Sequence, residues 1–331
     1  MQYDPWIISW VGMGVLMGIK GKQLNKLVNR YLIIGGAPKS ATTSLFRYLS
    51  DHPQVCPANR KETYFFARKF DFGGICNSGE TAQDFERYFS HCPLSGCMRI
   101  EATPYTLYSE QAAEKISDLL PDTRILFILR DPVDRLISDY YFHLQRDHPF
   151  ARDTFEEFLD AQRKMNSGLP NLIELGCYRQ YLQPFIDIFG QSRVFVMFFE
   201  EFKRDPSTEM LNLCSAVGLN PEFYSDYNFE AYNKTINIRN SWLNKTSIHM
   251  ERYVARARAQ LMHHPKAYRW FEKMVTVGKR AYWRLNNQGG QKETPIDPLI
   301  REELIHYYQP CNQALSKELE RALPWQSFRQ G

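Results

Sequence analysis

Long apolar runs are absent from this chain. The longest, Trp6 to Ile19, has 14 residues, is interrupted by Ser9, and contains Gly12, Gly14 and Gly18. A bilayer span takes ~20 residues. Positive charge follows this run at Lys20 and Lys22 instead of preceding it, the reverse of a secretory signal peptide. A hydrophobic N-terminal helix over residues 1–30 is expected, packed on the rest of the chain or lying in a membrane interface. Cysteine is sparse, seven in 331 residues, and no Cys-x-x-Cys pair occurs. That excludes a disulfide scaffold and gives no zinc-ribbon spacing. Cys92 and Cys97 could close a small loop across Pro93 and Gly96; otherwise the thiols read as buried or free in a reducing compartment. His263-His264 lacks a third ligand, so no metal site is expected. Internal repeats and low-complexity tracts are missing too. With 44% hydrophobic and 24% charged residues, the chain is neither disordered nor fibrous.

Charge is nearly balanced overall, 41 Lys+Arg against 37 Asp+Glu for a net +4, but it is unevenly placed. Between Lys234 and Arg284 there are 12 basic and 2 acidic residues. Such a block faces an anion or forms a solvated helical face. Arg252, Arg256 and Arg258 with Tyr268, Trp270, Phe271 and Trp283 make it both basic and aromatic, suited to a polyanionic acceptor or to peripheral membrane contact.

Tyr31 to Gly35 reads as a buried strand and Thr42 to Leu49 as the helix after it, stopped by Asp51-His52-Pro53. Arg124 to Leu129 is a second strand. It runs into Asp131-Pro132, an N-cap followed by proline at the first helical position, and a helix to about His143. Val194 to Phe199 is a third strand. It leads to Asp205-Pro206 and a helix ended by Gly218, and a last helix runs near Pro298 to Leu323. Strands alternating with helices predict an α/β fold with three layers, a central parallel sheet with helices on both faces. A core over 31–240 and a basic helical C-terminal region over 241–331 are expected.

Between the first strand and its helix lies Gly36-Ala37-Pro38-Lys39-Ser40-Ala41-Thr42-Thr43-Ser44. Small residues let backbone amides approach an anion, the helix N-terminus adds its dipole, and Lys39 adds a full charge. The loop is P-loop-like but not a Walker A loop, because no Gly-Lys follows four residues after Gly35 or Gly36. Arg130 sits at the carboxyl end of the second strand, where ligands bind in open α/β sheets, and Ser138 lies two turns into the next helix. Two anion sites at the top of one sheet suit a nucleoside with phosphates at both ends.

Pro38 to Leu45 resembles the 5′-phosphosulfate loop of sulfotransferases that use 3′-phosphoadenosine-5′-phosphosulfate (PAPS). Leu129-Arg130-Asp131-Pro132 with Ser138 resembles their 3′-phosphate motif. Lys61-Glu62-Thr63-Tyr64-Phe65-Phe66 and Glu101-Ala102-Thr103-Pro104-Tyr105 are similar to segments of the heparan-sulfate-type carbohydrate branch, as are Gly176-Cys177-Tyr178 and Phe199-Glu200-Glu201-Phe202. The resemblance covers about residues 31 to 240. Two departures stand out. The loop commonly has glycine where this chain has Ala41, tolerated if φ is negative there, and Ala102 replaces a basic residue.

The resemblance implies in-line transfer of a sulfuryl group from PAPS to a hydroxyl or amine of a carbohydrate or glycolipid. Glu62 would be the general base, and Lys39 would stabilise charge on the departing phosphate. Lys39, Ser40, Ala41, Thr42, Thr43, Ser44, Arg130 and Ser138 would hold the nucleotide, with Lys234 and Arg239 reaching its 3′-phosphate. His143 and Tyr105 are weaker candidates for the acceptor cleft, and Tyr178 suits either the site or the core. A sulfuryl group carries less charge than a phosphoryl group, so no metal clamp is required; no nucleic-acid partner is implied. A nucleotide kinase and a non-catalytic nucleotide-binding module are the alternatives, the first disfavoured by the missing Walker A loop. A cytoplasmic, membrane-associated location is expected. The sequons Asn233-Lys234-Thr235 and Asn244-Lys245-Thr246 leave the Golgi lumen as the alternative.

Overall fold

The computed structural model describes residues 30–67, 81–93, 96–145, 154–165, 171–230 and 296–328, together with residue 152 and scattered positions between 250 and 282. Five strands form one sheet: β1 (Arg30–Gly36), β2 (Val55–Pro57), β3 (Met98–Ala102), β4 (Arg124–Leu129) and β5 (Val194–Phe198). Their order is β2-β3-β1-β4-β5 and every pairing is parallel. The helices are α1 (Thr42–Asp51), α2 (Ala82–Glu86), α3 (Ala112–Leu119), α4 (Pro132–Gln145), α5 (Phe155–Arg163), α6 (Tyr178–Phe189), α7 (Phe199–Arg204), α8 (Pro206–Val217) and α9 (Pro298–Glu318).

Parallel strands covered on both faces read as continuous apolar runs, and Leu32, Ile33 and Ile34 of β1 are wholly buried. Alternate residues divide between two cores. Ile33, Ile125 and Phe127 pack with residues of α3, α4 and α6, whereas Leu32, Ile34, Leu126 and Ile128 pack with α1 and α8. The expected three layers follow from that division. Asp131 caps α4 by accepting the Val133 amide at 3.0 Å, and Asp205 caps α8 by accepting the Thr208 amide at 3.1 Å. Gly218 ends α8 at φ 76°, a left-handed position that glycine adopts without cost.

Two strands escape the apolar-run criterion. β2 is only three residues long, and β3 alternates apolar residues with Arg99 and Glu101, both buried. The two terminal nitrogens of Arg99 pair with Glu86, with the Tyr31 hydroxyl at 3.3 Å and with the Pro93 carbonyl at 3.4 Å. Charge is tolerated inside a sheet when it is paired in this way.

The cysteine reading is corrected. Disulfides join Cys56 to Cys92 and Cys177 to Cys311, while Cys97 and Cys214 are free and buried. Cys92 does not pair with Cys97, because it faces Cys56 of the edge strand β2. His91 Nε2 lies 3.6 Å from the Cys56 sulfur and 3.8 Å from that of Cys92. These three form the one metal-type cluster among the described residues, but its sulfurs are bonded to each other and offer no thiolate.

The C-terminal segment enters the core. Leu304, Tyr308 and Leu315 of α9, then Leu323 and Trp325, are buried in the cluster that holds α4 and α6. Among the described residues no helix is long and apolar enough to cross a membrane. The run Trp6 to Ile19 lies outside the described residues, as do Lys234 and Arg239.

Candidate active site

The carboxyl ends of β3, β1 and β4 lie side by side, and three loops leave them. The β1 loop is pinned at once: the Ala37 amide donates to the Ile128 carbonyl of β4 at 2.8 Å. Two of its residues, Lys39 at φ 65° and Ala41 at φ 64°, are left-handed. The expectation that alanine is tolerated at 41 because φ is negative is therefore wrong. Ala41 is also the N-cap of α1, with no side chain able to cap it. Ser40, Thr42 and Ser44 are buried, while Lys39, Ala41 and Thr43 are half-buried. The Lys39 ammonium lies 4.0 Å from the centre of the Phe142 ring on α4.

On the β4 side, Arg130 Nη1 donates to the Lys39 carbonyl at 3.1 Å. That bond ties the two expected anion elements together. The guanidinium lies 4.7 Å from the centre of the Phe199 ring, and its Nε is buried without a hydrogen-bond partner among the described residues. An orphaned donor on a fixed cation fits an oxyanion ligand. The backbone at Arg130 is held in turn: the Tyr178 hydroxyl donates to its carbonyl at 2.8 Å, and the Asp131 amide donates to Glu200 Oε1 at 3.0 Å. Asp131 Oδ2 accepts the Ser327 hydroxyl at 2.6 Å and the Ser327 amide at 3.2 Å. Burial pushes the Asp131 and Glu200 carboxyls up from their ordinary values.

Deeper on α4, Arg135 and Asp139 form a fully buried ion pair at 2.5 Å. Arg135 Nη2 also donates to the Leu172 carbonyl at 2.6 Å. Burial pushes Asp139 up, opposed by Arg135 and by the more distant charges of Lys39 and Arg130. Ser138 and His143 are buried on the same helix, and Tyr105 is half-buried beyond β3.

On the β3 side, the Glu62 amide donates to the Ala102 carbonyl at 2.9 Å. Ala102 pairs with Ile34 of β1, so Glu62 sits at the strand end next to the Lys39 loop. Its side chain is 41% exposed, open enough to meet a ligand. Lys61 Nζ lies 2.6 Å from Oε1, and the Tyr64 hydroxyl donates to Oε2 at 3.1 Å. Phe65 and Phe66 anchor this loop from below, packing on Phe85 with ring centres 5.0 and 4.9 Å away.

The site thus offers a loop carrying Lys39, an arginine bonded to that loop, and a half-exposed carboxylate on the adjacent strand end. Residues 29–274 match the sulfotransferase domain family. The chain belongs to the sulfotransferase family. Its resemblance in sequence to PAPS-using enzymes is therefore one of descent, and the family is one of transferases. The sulfotransferase is 30% identical over 61% of its length to human heparan sulfate glucosamine 3-O-sulfotransferase 3B1, covering 49% of that protein. It is 23% identical over 89% of its length to the membrane-associated sulfotransferase kil1 of Dictyostelium discoideum, covering 66% of it. The chain spans about half to two thirds of the length of these curated relatives. Its fold is that of a sulfotransferase from Alicyclobacillus acidocaldarius, with a TM-score of 0.60, 24% identity, and coverage of 90% of this chain and 98% of that one.

Several supporting residues carry no distinct sequence signal. Ser327 and Trp325 lie beyond every motif, yet Ser327 holds Asp131, and Trp325 packs on Phe198 and Tyr178 with ring centres 5.6 and 5.9 Å away. Tyr178 is buried and also bonds Arg130, so it serves both the core and the site.

Proposed function

We propose that this sulfotransferase moves a sulfuryl group from PAPS to a hydroxyl or amine of a carbohydrate or glycolipid. The observation that carries the reading is the bond from Arg130 to the Lys39 carbonyl, which sets the two expected anion elements side by side. Lys39, the amides of residues 40–44, Thr42, Thr43 and Ser44 take the 5′-phosphosulfate; Arg130 and Ser138 take the 3′-phosphate, aided by Lys234 and Arg239. Glu62 accepts the acceptor proton as the new O–S or N–S bond forms. The bond from sulfur to the bridging oxygen breaks, and Lys39 neutralises charge on the departing phosphate. The heparan sulfate enzymes among the relatives support a sugar acceptor. Tyr105 and His143 are assigned to the acceptor side of the cleft.

Titration calorimetry with 3′-phosphoadenosine-5′-phosphate, without Mg²⁺ and with ATP as control, tests the nucleotide site. Micromolar binding of the bisphosphate and little of ATP is expected; preference for ATP would move a kinase to first place. Glu62→Gln should abolish transfer and leave bisphosphate binding near normal. Loss of binding in that variant would reject Glu62 as the base.

The two disulfides favour an oxidising compartment, the lumenal alternative, over the cytoplasm. Peripheral membrane contact is supported by the membrane-associated relative and by exposed Met250, Tyr253, Met274 and Val277 within the basic segment. Flotation with anionic vesicles should capture the protein; failure to float would remove that contact.

A further inference from the structure

We propose that Glu101 is a positioning residue for sulfuryl transfer: its buried carboxyl fixes the backbone of the loop that carries Glu62. The inference rests on the reading of Glu62 as the base.

Glu101 lies in β3 opposite Ile33 and is 1% exposed. Its Oε1 accepts the Thr63 amide at 3.2 Å, the Thr63 hydroxyl at 2.9 Å and the Thr103 hydroxyl at 2.5 Å. Each hydroxyl accepts a further amide, Thr63 that of Phe65 and Thr103 that of Tyr64, both at 3.2 Å. A hydroxyl that donates its one proton inward can still accept from outside, so both bonds are compatible. Three successive amides, 63 to 65, are thereby tied to one carboxyl. The Glu62 amide is held by the next residue of the same strand end, Ala102.

The loop carbonyls are held from the other side by cations. Arg60 Nη2 donates to the Thr63 carbonyl at 3.2 Å, and Lys115 Nζ to that of Phe65 at 2.8 Å. This double grip fixes a backbone that would not choose its own conformation: Glu62 is at φ 63° and Tyr64 at φ 57°. Left-handed non-glycine residues persist only where their surroundings over-determine them, and such places cluster at functional sites. The Tyr64 conformation has a direct product, since its hydroxyl reaches back to Glu62 Oε2 at 3.1 Å.

Stability alone does not account for Glu101. Its Oε2 is buried without a partner among the described residues, a cost that an apolar residue on an inner strand would avoid. The carboxyl is explained by what it holds. It touches neither of the expected reacting groups, so its effect on transfer must pass through Glu62.

The test compares wild type, Glu62→Gln, Glu101→Gln, Thr103→Val and Thr103→Ser in the full chain. Three measurements are made: bisphosphate affinity by calorimetry, amide hydrogen exchange of residues 62–66 by mass spectrometry, and ³⁵S transfer from PAPS to desulfated heparan sulfate. Glu101→Gln should lower kcat about 100-fold, the cost of a misplacement of ~1 Å. The KM for PAPS and the bisphosphate Kd should stay within twofold, and exchange at 62–66 should quicken at least tenfold. Thr103→Val should fall in the same direction, and Thr103→Ser, which keeps the hydroxyl, should recover. If Glu101→Gln fails to fold, the threonine pair decides alone. Full activity and unchanged exchange in Glu101→Gln, with Glu62→Gln inactive, would overturn the positioning role and leave the base reading standing. An active Glu62→Gln would overturn the base reading itself. If wild type does not sulfate this acceptor, a heparan-type acceptor is excluded, and exchange with affinity still decides whether Glu101 holds the loop.

Discussion

The two flanks of β1 solve one problem in opposite ways. On the β3 flank, Glu62 is held by Lys61 and Tyr64 beside it in sequence and by Ala102, 40 residues on, and its loop by Glu101, 38 residues from Thr63. On the β4 flank, Arg130 and Asp131 are held by partners 48, 69 and 196 residues away: Tyr178, Glu200 and Ser327. The first flank draws on two stretches of chain, residues 61–65 and 101–103, and keeps its geometry as long as those two stay paired. The second exists only when distant segments have docked, so it shares the fate of the whole fold. On the proposed reading, the carboxylate that takes the acceptor proton sits on the flank with the shorter separations. On the same reading, the arginine that takes the 3′-phosphate sits on the flank whose partners reach 196 residues away.

Breaking the buried pair of α4 is the strongest challenge to the β4 flank. Asp139→Asn leaves the wholly buried Arg135 without its counter-ion. Removing one member of such a pair costs ~3–5 kcal/mol. Urea unfolding should show that loss, and the apolar double variant Arg135→Met with Asp139→Leu should return most of it. A loss below ~1 kcal/mol in the single variant would mean the helix does not depend on the pair.

The disulfides come next. Replacing Cys177 and Cys311 by serine should cost ~2–4 kcal/mol. The segment it closes is 134 residues, against 36 for Cys56–Cys92. By chain entropy the longer closure is worth ~1 kcal/mol more. Bisphosphate affinity should also weaken only when the longer one is removed, because Cys311 holds the helix that leads to Ser327. Equal effects of the two removals would erase the contrast between flanks. Arg130→Ala should be smaller again, weakening bisphosphate binding by ~1.5–3 kcal/mol, the range for hydrogen bonds to charged groups. An unchanged Kd would reject its phosphate role.

The same contrast explains what was legible in the sequence. β1, β4 and β5 are apolar runs, and the caps at Asp131 and Asp205 announce their helices. β3 is not legible as a strand because Arg99 and Glu101 interrupt its pattern, and only the folded chain shows Glu86, Thr63 and Thr103 pairing with them. The Lys39 loop, Arg130 and Glu62 can be read because each lies in a short motif beside a strand end. Ser327, Trp325 and the cysteine partners cannot, since nothing local encodes a contact across 134 or 196 residues. Cys92 and Cys97 suggest each other by nearness alone, and nearness in sequence does not aim two side chains at one point.

The smallest expected effect concerns Ala41, where the reading of the loop and its geometry part. At φ 64° and ψ 20° the residue is left-handed and caps α1 with no polar side chain. The left-handed region costs an L-residue ~1–2 kcal/mol, and glycine escapes it. Glycine is also a better N-cap than alanine. Against this, glycine frees the unfolded chain, at ~0.4–1 kcal/mol. The strain outweighs the entropy, so Ala41→Gly should stabilise the protein by ~0.5 kcal/mol in urea unfolding. Ala41→Val should destabilise it, because a branched Cβ fits this region worst. A glycine variant less stable than wild type would show that the loop leaves this conformation in solution. The cradle would then form only around its nucleotide, and the β1 loop would resemble the β4 flank more than the β3 flank.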